Sequence, residues 1–177
     1  MTLLQAADAS SLRGDLSIIS REAATGRLLS HWEKKNVIVF GAGTALTRLI
    51  APNAAFGATI QEECQIKSMR FGVSNAAPQR SDTALGSEAI VSGNPVRVMF
   101  TDADRIHSSG MVEFVALLDS LTGNGVTYRE AALYTRGTND DPLLTTGDLM
   151  YSRQVFPDQP KTALVELEFR WRITFTF

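Results

Sequence analysis

Ala163-Leu164-Val165-Glu166-Leu167-Glu168-Phe169-Arg170-Trp171-Arg172-Ile173-Thr174-Phe175-Thr176-Phe177 alternates without a break. Ala163, Val165, Leu167, Phe169, Trp171, Ile173, Phe175 and Phe177 fall on one side, and Leu164, Glu166, Glu168, Arg170, Arg172, Thr174 and Thr176 on the other. Successive side chains of a strand point to opposite faces, so the stretch predicts a long strand with one apolar and one mostly charged face. Burying one large apolar side chain is worth roughly 1.5–3 kcal/mol, so this face supplies on the order of 10–20 kcal/mol gross, before chain entropy is subtracted. A slip of one residue would drive Glu166, Glu168, Arg170 and Arg172 into the core, so the register should be firmly set. The strand is expected to be a main part of the core, and a core strand closing the sequence suits an assembly protein better than an enzyme.

Working back along the chain, β signals dominate from residue 60 onward. Gln65 to Val73, Pro95 to Phe100, Met111 to Leu118, Tyr128 to Thr135 and Asp148 to Phe156 read as strands. Polar loops separate them at Ser74 to Gly86 and through Asn139-Asp140-Asp141-Pro142, and Pro157-Asp158-Gln159-Pro160 reads as a turn into the last strand. Nearer the start, Asp15 to Glu22 and Arg27 to Glu33 form a hairpin around Ala23-Ala24-Thr25-Gly26. Asn36 is a candidate N-cap for one helix at about Val39 to Ala51, ended by Pro52, with Asn53 to Thr59 as a loop. The expected fold is mainly β, with an α+β N-terminal part: an antiparallel β-sandwich or barrel-like sheet carrying an N-terminal β-hairpin and one α-helix. Its organisation is an arm at 1–14, a hairpin-plus-helix unit at 15–59, and a sandwich at 60–177 packed with that unit as essentially one domain.

Composition narrows the function classes. The chain of 177 residues is 44% hydrophobic and 20% charged, with a formal net charge of −2, which gives no electrostatic reason to expect nucleic acid as a partner. Cys64 is the only cysteine, so an intramolecular disulfide and a cysteine zinc site are both excluded. His31 and His107 are the only histidines, so a histidine metal centre would need both of them together with distant carboxylates. No apolar run approaches the ~20 residues that span a bilayer, so membrane insertion is not expected. The start, Met1-Thr2-Leu3-Leu4-Gln5, lacks the basic and apolar regions of a signal peptide, and synthesis in the cytoplasm is expected.

Four groups invite a chemical reading. Val37-Ile38-Val39-Phe40-Gly41-Ala42-Gly43-Thr44-Ala45-Leu46 imitates a dinucleotide-binding turn, with Glu62 and Glu63 near the place of a ribose-binding acid. Leu46 stands where the third glycine belongs, however, and the rest of the chain lacks alternating helices, so Gly41, Ala42 and Gly43 are better read as small residues for close packing. Asp102 with Asp104 and Arg105, and Asp140 with Asp141, lack the ordered ligand spacing of a calcium loop and read as solvated turns. Ser108 and Ser109 lie beside His107, but neighbours in sequence do not make a triad. Trp32, Tyr128, Tyr134 and Trp171 would suit a sugar-stacking groove, and more commonly such residues are core or interface. No catalytic residue, cofactor or metal is assigned.

The order of segments resembles a family of tailed-bacteriophage virion proteins over most of residues 15–177. Four patterns carry the resemblance. The first is Ala24-Thr25-Gly26-Arg27-Leu28, leading through Trp32-Glu33-Lys34-Lys35-Asn36 into Val37-Ile38-Val39. The second is Met69-Arg70-Phe71-Gly72-Val73-Ser74, followed by Pro78 and Ser81-Asp82-Thr83-Ala84-Leu85. The third is Tyr128-Arg129-Glu130-Ala131-Ala132-Leu133-Tyr134, where family members commonly have Gly and Phe in place of Ala132 and Tyr134. The fourth is Leu149-Met150-Tyr151-Ser152-Arg153-Gln154-Val155-Phe156-Pro157, then Lys161-Thr162 and the alternating strand.

The resemblance implies a non-enzymatic structural component of the virion, located in the tail, neck, baseplate or fibre-attachment apparatus and made in the host cytoplasm. Its expected partners are copies of itself, in a symmetric oligomer, and other virion proteins. Contact surfaces are expected on the arm (Leu3, Leu4, Leu12) and on the hairpin-plus-helix unit (Trp32, Leu46, Leu49). The competing readings are a lectin-like sandwich that binds host glycan and a nucleotide-cofactor enzyme using Gly41 and Gly43.

Overall fold

The computed structural model describes residues 11–50, 64–135 and 148–176. Strand β1 (Ser11–Glu22) turns through Ala23–Thr25 into β2 (Leu28–Lys35), with Gly26 at φ +70° and its N–H donated to Glu22 O at 2.8 Å. A short β3 (Val37–Ile38) precedes helix α1 (Phe40–Ile50). Then come β4 (Ile66–Gly72), the small pair β5 (Ile90–Val91) and β6 (Asn94–Pro95), β7 (Arg97–Met99), a 3-10 turn at Asp102–Asp104, and β8 (Arg105–Ser108). The long strands β9 (Met111–Leu118), β10 (Val126–Thr135), β11 (Met150–Lys161) and β12 (Val165–Thr176) follow.

These strands build a mainly β, sandwich-like fold of two five-stranded antiparallel sheets, β2-β1-β12-β9-β8 and β3-β11-β10-β4-β7, as the alternation predicts. β12 is central in the first sheet. Its Trp171 stands opposite Leu16 on one side and Phe114 on the other, and Phe169 opposite Ile18 and Ala116. Leu167, Phe169, Trp171 and Ile173 are all buried, while Glu168, Arg170 and Arg172 face outward. Phe169 joins the two sheets: its ring lies 4.7 Å from Phe71 and 5.8 Å from Phe156, both on the second sheet.

The two sheets differ in how they are covered. The outer face of the second sheet carries its own small apolar cluster of Val39, Ala132, Tyr134 and Met150, with Leu85 packed on it. α1 lies against β11 so closely that a side chain at Gly41 would meet the Met150 carbonyl. The first sheet leaves its outer face to solvent, and β2 is exposed along most of its length.

Several boundaries differ from the sequence expectation, each for a physical reason. β1 starts at Ser11, not Asp15, because Leu12 pairs with Phe175 and packs on the core; Leu12 is therefore a strand residue and not part of a free arm. Leu3 and Leu4, with the rest of residues 1–10, lie outside the described residues, as do Pro52, the loop at 53–59 and Phe177. α1 runs Phe40–Ile50, and Asn36 does not cap it. Asn36 instead donates its N–H to Gly14 O and its side-chain amide to Ser152, because Val37 and Ile38 first pair with β11.

The predicted turn at Pro157–Pro160 is overturned: β11 continues to Lys161, with Pro160 opposite Thr127. The prolines are tolerated because Pro157 sits in a bulge, and because β3 pairs only with Ser152 and Arg153, leaving the far half of β11 as an edge among the described residues. Phe169→Ala should cost about 3–5 kcal/mol in urea unfolding, whereas Leu164→Ala, at a position 75% exposed, should stay within about 0.5 kcal/mol of the parent.

Candidate functional site

Glu130 is fully buried on the outer face of the second sheet, beneath the segment that links β4 to β5. A buried carboxylate needs donors, and four converge on this one. The backbone N–H groups of Ser87, Gly86 and Ser74 donate at 2.8, 3.1 and 3.3 Å, and Arg153 Nε donates at 2.8 Å. Arg153 is itself buried and is completed by Asp82 Oδ2 at 2.7 Å and the Ala76 carbonyl at 3.1 Å. Burial pulls the Arg153 guanidinium down, but its bonds to Asp82 and Glu130 outweigh this and its pKa is raised. Asp82 also accepts the Gln79 N–H at 2.8 Å. One carboxylate and one guanidinium thus hold both ends and the middle of a loop against the sheet.

The neighbouring strand extends this arrangement. Arg70 lies 4.0 Å above the Tyr134 ring and pairs with Asp148, and the Tyr134 hydroxyl accepts the Leu85 N–H at 3.1 Å. Burial lowers the Arg70 pKa and raises that of Tyr134 to about 12. Gly72 must be glycine here, since a Cβ would meet the Glu130 carboxylate and lie 2.5 Å from Ser87 O.

Two further features complete the surface. On the outer face of the first sheet Glu113, whose side chain is buried, is held by Arg170 at 3.1 Å and Arg172 at 3.0 Å, while Arg170 also pairs with Glu168 at 2.5 Å. His31 and Ser17 are hydrogen-bonded at 2.8 Å beside them, around a shallow cavity of about 220 Å³. At one end of the sandwich an apolar cavity of about 450 Å³ is lined by Leu46, Leu49, Cys64, His107, Phe114 and Phe175 among others.

The residues singled out from sequence fall into place as follows. Gly41 serves helix-to-strand packing, and nothing approaches Gly43. β3 and β4 on either side of α1 pair antiparallel with β11 and β10, so the parallel crossover of a dinucleotide fold is not formed there; Glu62 and Glu63 lie outside the described residues. Tyr128, Tyr134 and Trp171 are buried, so they form no exposed sugar-stacking groove. Trp32 is half-buried at the sheet edge, with its ring 5.9 Å from Phe156. Leu46 and Leu49 pack partly on the core.

Asp104 caps the turn before β8, accepting from the Thr101 N–H at 2.8 Å and its hydroxyl at 2.6 Å, while Asp102 pairs with Arg105 at 2.9 Å. Asp140 and Asp141 lie outside the described residues. No group of three or more potential metal ligands occurs among the described residues. The sequence reading assigned no role to Glu130 or Arg153, since a charge inside a strand carries no periodicity that would point to a partner 23 positions away. A charged residue amid Ala131, Ala132 and Leu133 was the one available signal.

Comparison with protein-family models, with curated proteins and with solved structures returns no match.

Removing one partner of a buried pair leaves an uncompensated charge. Glu130→Ala should therefore cost about 3–5 kcal/mol and open residues 74–88 to limited proteolysis. Glu130→Ala with Arg153→Met should cost less than the sum of the two single changes, measured as urea unfolding free energies in a double-mutant cycle.

Tyr128, Tyr134 and Tyr151 all have their pKa raised to about 12 by burial. A raised folded-state pKa gives stability that is full below the unfolded value of 10.0 and is lost as pH rises towards 12. The unfolding free energy in urea should fall across that window together with the rise of tyrosinate absorbance, by on the order of 2 kcal/mol per tyrosine.

Proposed function

We propose that the protein is a non-enzymatic structural component of a tailed-phage virion, acting in the tail, neck or baseplate and fibre-attachment apparatus as a symmetric oligomer. One observation carries the reading. Members of the four sequence patterns on which the resemblance rests, which run from the first hairpin to β12, meet on the second sheet. Arg70 of the second pattern stacks on Tyr134 of the third. Glu130 of the third binds Arg153 of the fourth, which also binds Asp82 of the second. Asn36 of the first is bonded to Ser152 of the fourth. Residues quoted for the resemblance from four separate segments are thus joined by direct contact.

The architecture supports the same reading. A firmly packed sandwich, with one sheet covered on both faces and the other open along a charged face and a long edge, offers surface for neighbours. The work of such a protein is to hold its shape while subunits join. The expected outcome is an oligomer of defined size in light scattering, and detection of the protein in purified particles by mass spectrometry. A monomer that binds no virion component would overturn the proposal.

A further inference from the structure

We infer that the β2 edge is a self-pairing surface, on which β2 of a second copy of this chain adds antiparallel about a two-fold axis at Trp32. The inference rests on the oligomeric reading above and names its contact. β2 is eight residues long, against four for β8, three for β7 and two for β3 at the other ends of the sheets, and the unpaired half of β11 is interrupted by Pro157 and Pro160. It is exposed at every position except Trp32, which is half-buried.

The backbone fixes which groups are available. The Asn36 N–H is donated to Gly14 O at 3.0 Å, and the register continues through Leu16↔Lys34 and Ile18↔Trp32. Hydrogen-bonded positions alternate in an antiparallel ladder, so the even residues Lys34, Trp32 and Ser30 turn their backbone groups toward β1. The odd residues His31, Glu33 and Lys35 turn theirs outward.

A continuous sheet requires each residue to oppose one of the same face, so the two-fold axis of a pairing must pass through a residue of β2. Centred on His31, the strand runs into Leu29, where the β1–β2 ladder already carries a bulge. Centred on Glu33, Glu33 opposes its own copy and His31 opposes Lys35. Centred on Trp32, His31 opposes Glu33 of the second copy and Glu33 opposes His31. Ser30 opposes Lys34 on the inner face, and the flat part of the strand, Ser30–Lys34, is used in full. Centred on Lys34, Glu33 opposes Lys35, but Lys34 opposes its own copy and Trp32 opposes Asn36 beyond the strand end. The Trp32 register alone joins groups of complementary chemistry, opposes no like charges and avoids the bulge. It also brings the exposed halves of the two Trp32 rings together at the axis.

Sedimentation equilibrium on the full chain tests the pairing, with circular dichroism to show that each variant is folded. The parent should self-associate. His31→Glu places like charges opposite one another twice over, Glu33→Lys removes the carboxylate that faces His31 at both places, and each should weaken association roughly tenfold. The combination of His31→Glu with Glu33→Lys restores opposite charges and should restore association. His31→Pro removes an outward N–H without breaking the β1 ladder and should abolish it. Single variants that weaken association without rescue by the combination would overturn the register. An oligomer unmoved by any of these changes would overturn the edge while leaving assembly intact. A parent that stays monomeric at every concentration would overturn the self-pairing, and failure to bind other virion proteins as well would overturn the broader reading.

Discussion

The buried carboxylate of Glu130 is the constraint around which the second sheet is arranged. Left without donors, a carboxylate with no solvent exposure would be untenable in the folded state. Its four donors come from Arg153 on the adjacent strand and from three backbone N–H groups of the loop above. The loop therefore cannot leave the sheet without stranding the charge, and the sheet cannot shift register without moving Arg153 away from it. Gly72 follows from the same requirement, because only a missing side chain lets loop and carboxylate approach so closely. Polar networks of this kind are destabilising when partly satisfied and specify one arrangement when complete.

That arrangement divides the molecule into a closed side and an open one. The second sheet is packed on its inner face by the common core, to which α1 contributes Ala42 and Ala45, and on its outer face by Val39, Leu85 and the clamped loop. Its strands are accordingly buried on both sides, with β10 carrying buried residues from Glu130 to Thr135 in unbroken sequence. The first sheet follows the opposite pattern, with Leu167, Phe169 and Trp171 inside and Glu168, Arg170 and Arg172 outside. Surface available to a neighbour is thus concentrated on the first sheet and its edges.

The same division governs how much was legible in the sequence. Where one face meets water the period of two is visible, and β12 was readable from it; β9, Met111–Leu118, was readable instead from its β-branched and aromatic start between Gly110 and Gly123. Where both faces are covered the period disappears, and β10 reads only as a mixed run. Pro157 and Pro160 read as a turn because proline cannot serve a ladder bond, and only the fold reveals that a bulge and a free edge make that bond unnecessary. Leu12 looked irregular because its partner, Phe175, lies at the far end of the chain. The clamp was illegible for the same reason: its members come from β10, β11 and a loop, and each looks ordinary in its own surroundings.

The charges of the open face bear on what can recognise it. Glu113 lies between Arg170 and Arg172, Glu168 against Arg170, and Asp15 against Arg13 at 2.8 Å. Opposite signs alternate at contact distance, so the field largely cancels within the face and falls off over about 10 Å at ordinary salt. Such a surface does not draw in a polyanion or a uniformly charged film from afar. It discriminates at short range, where a partner must match the alternation residue for residue and mismatched charges repel. A folded neighbour with its own fixed pattern would meet that demand, as the structural role proposed above requires.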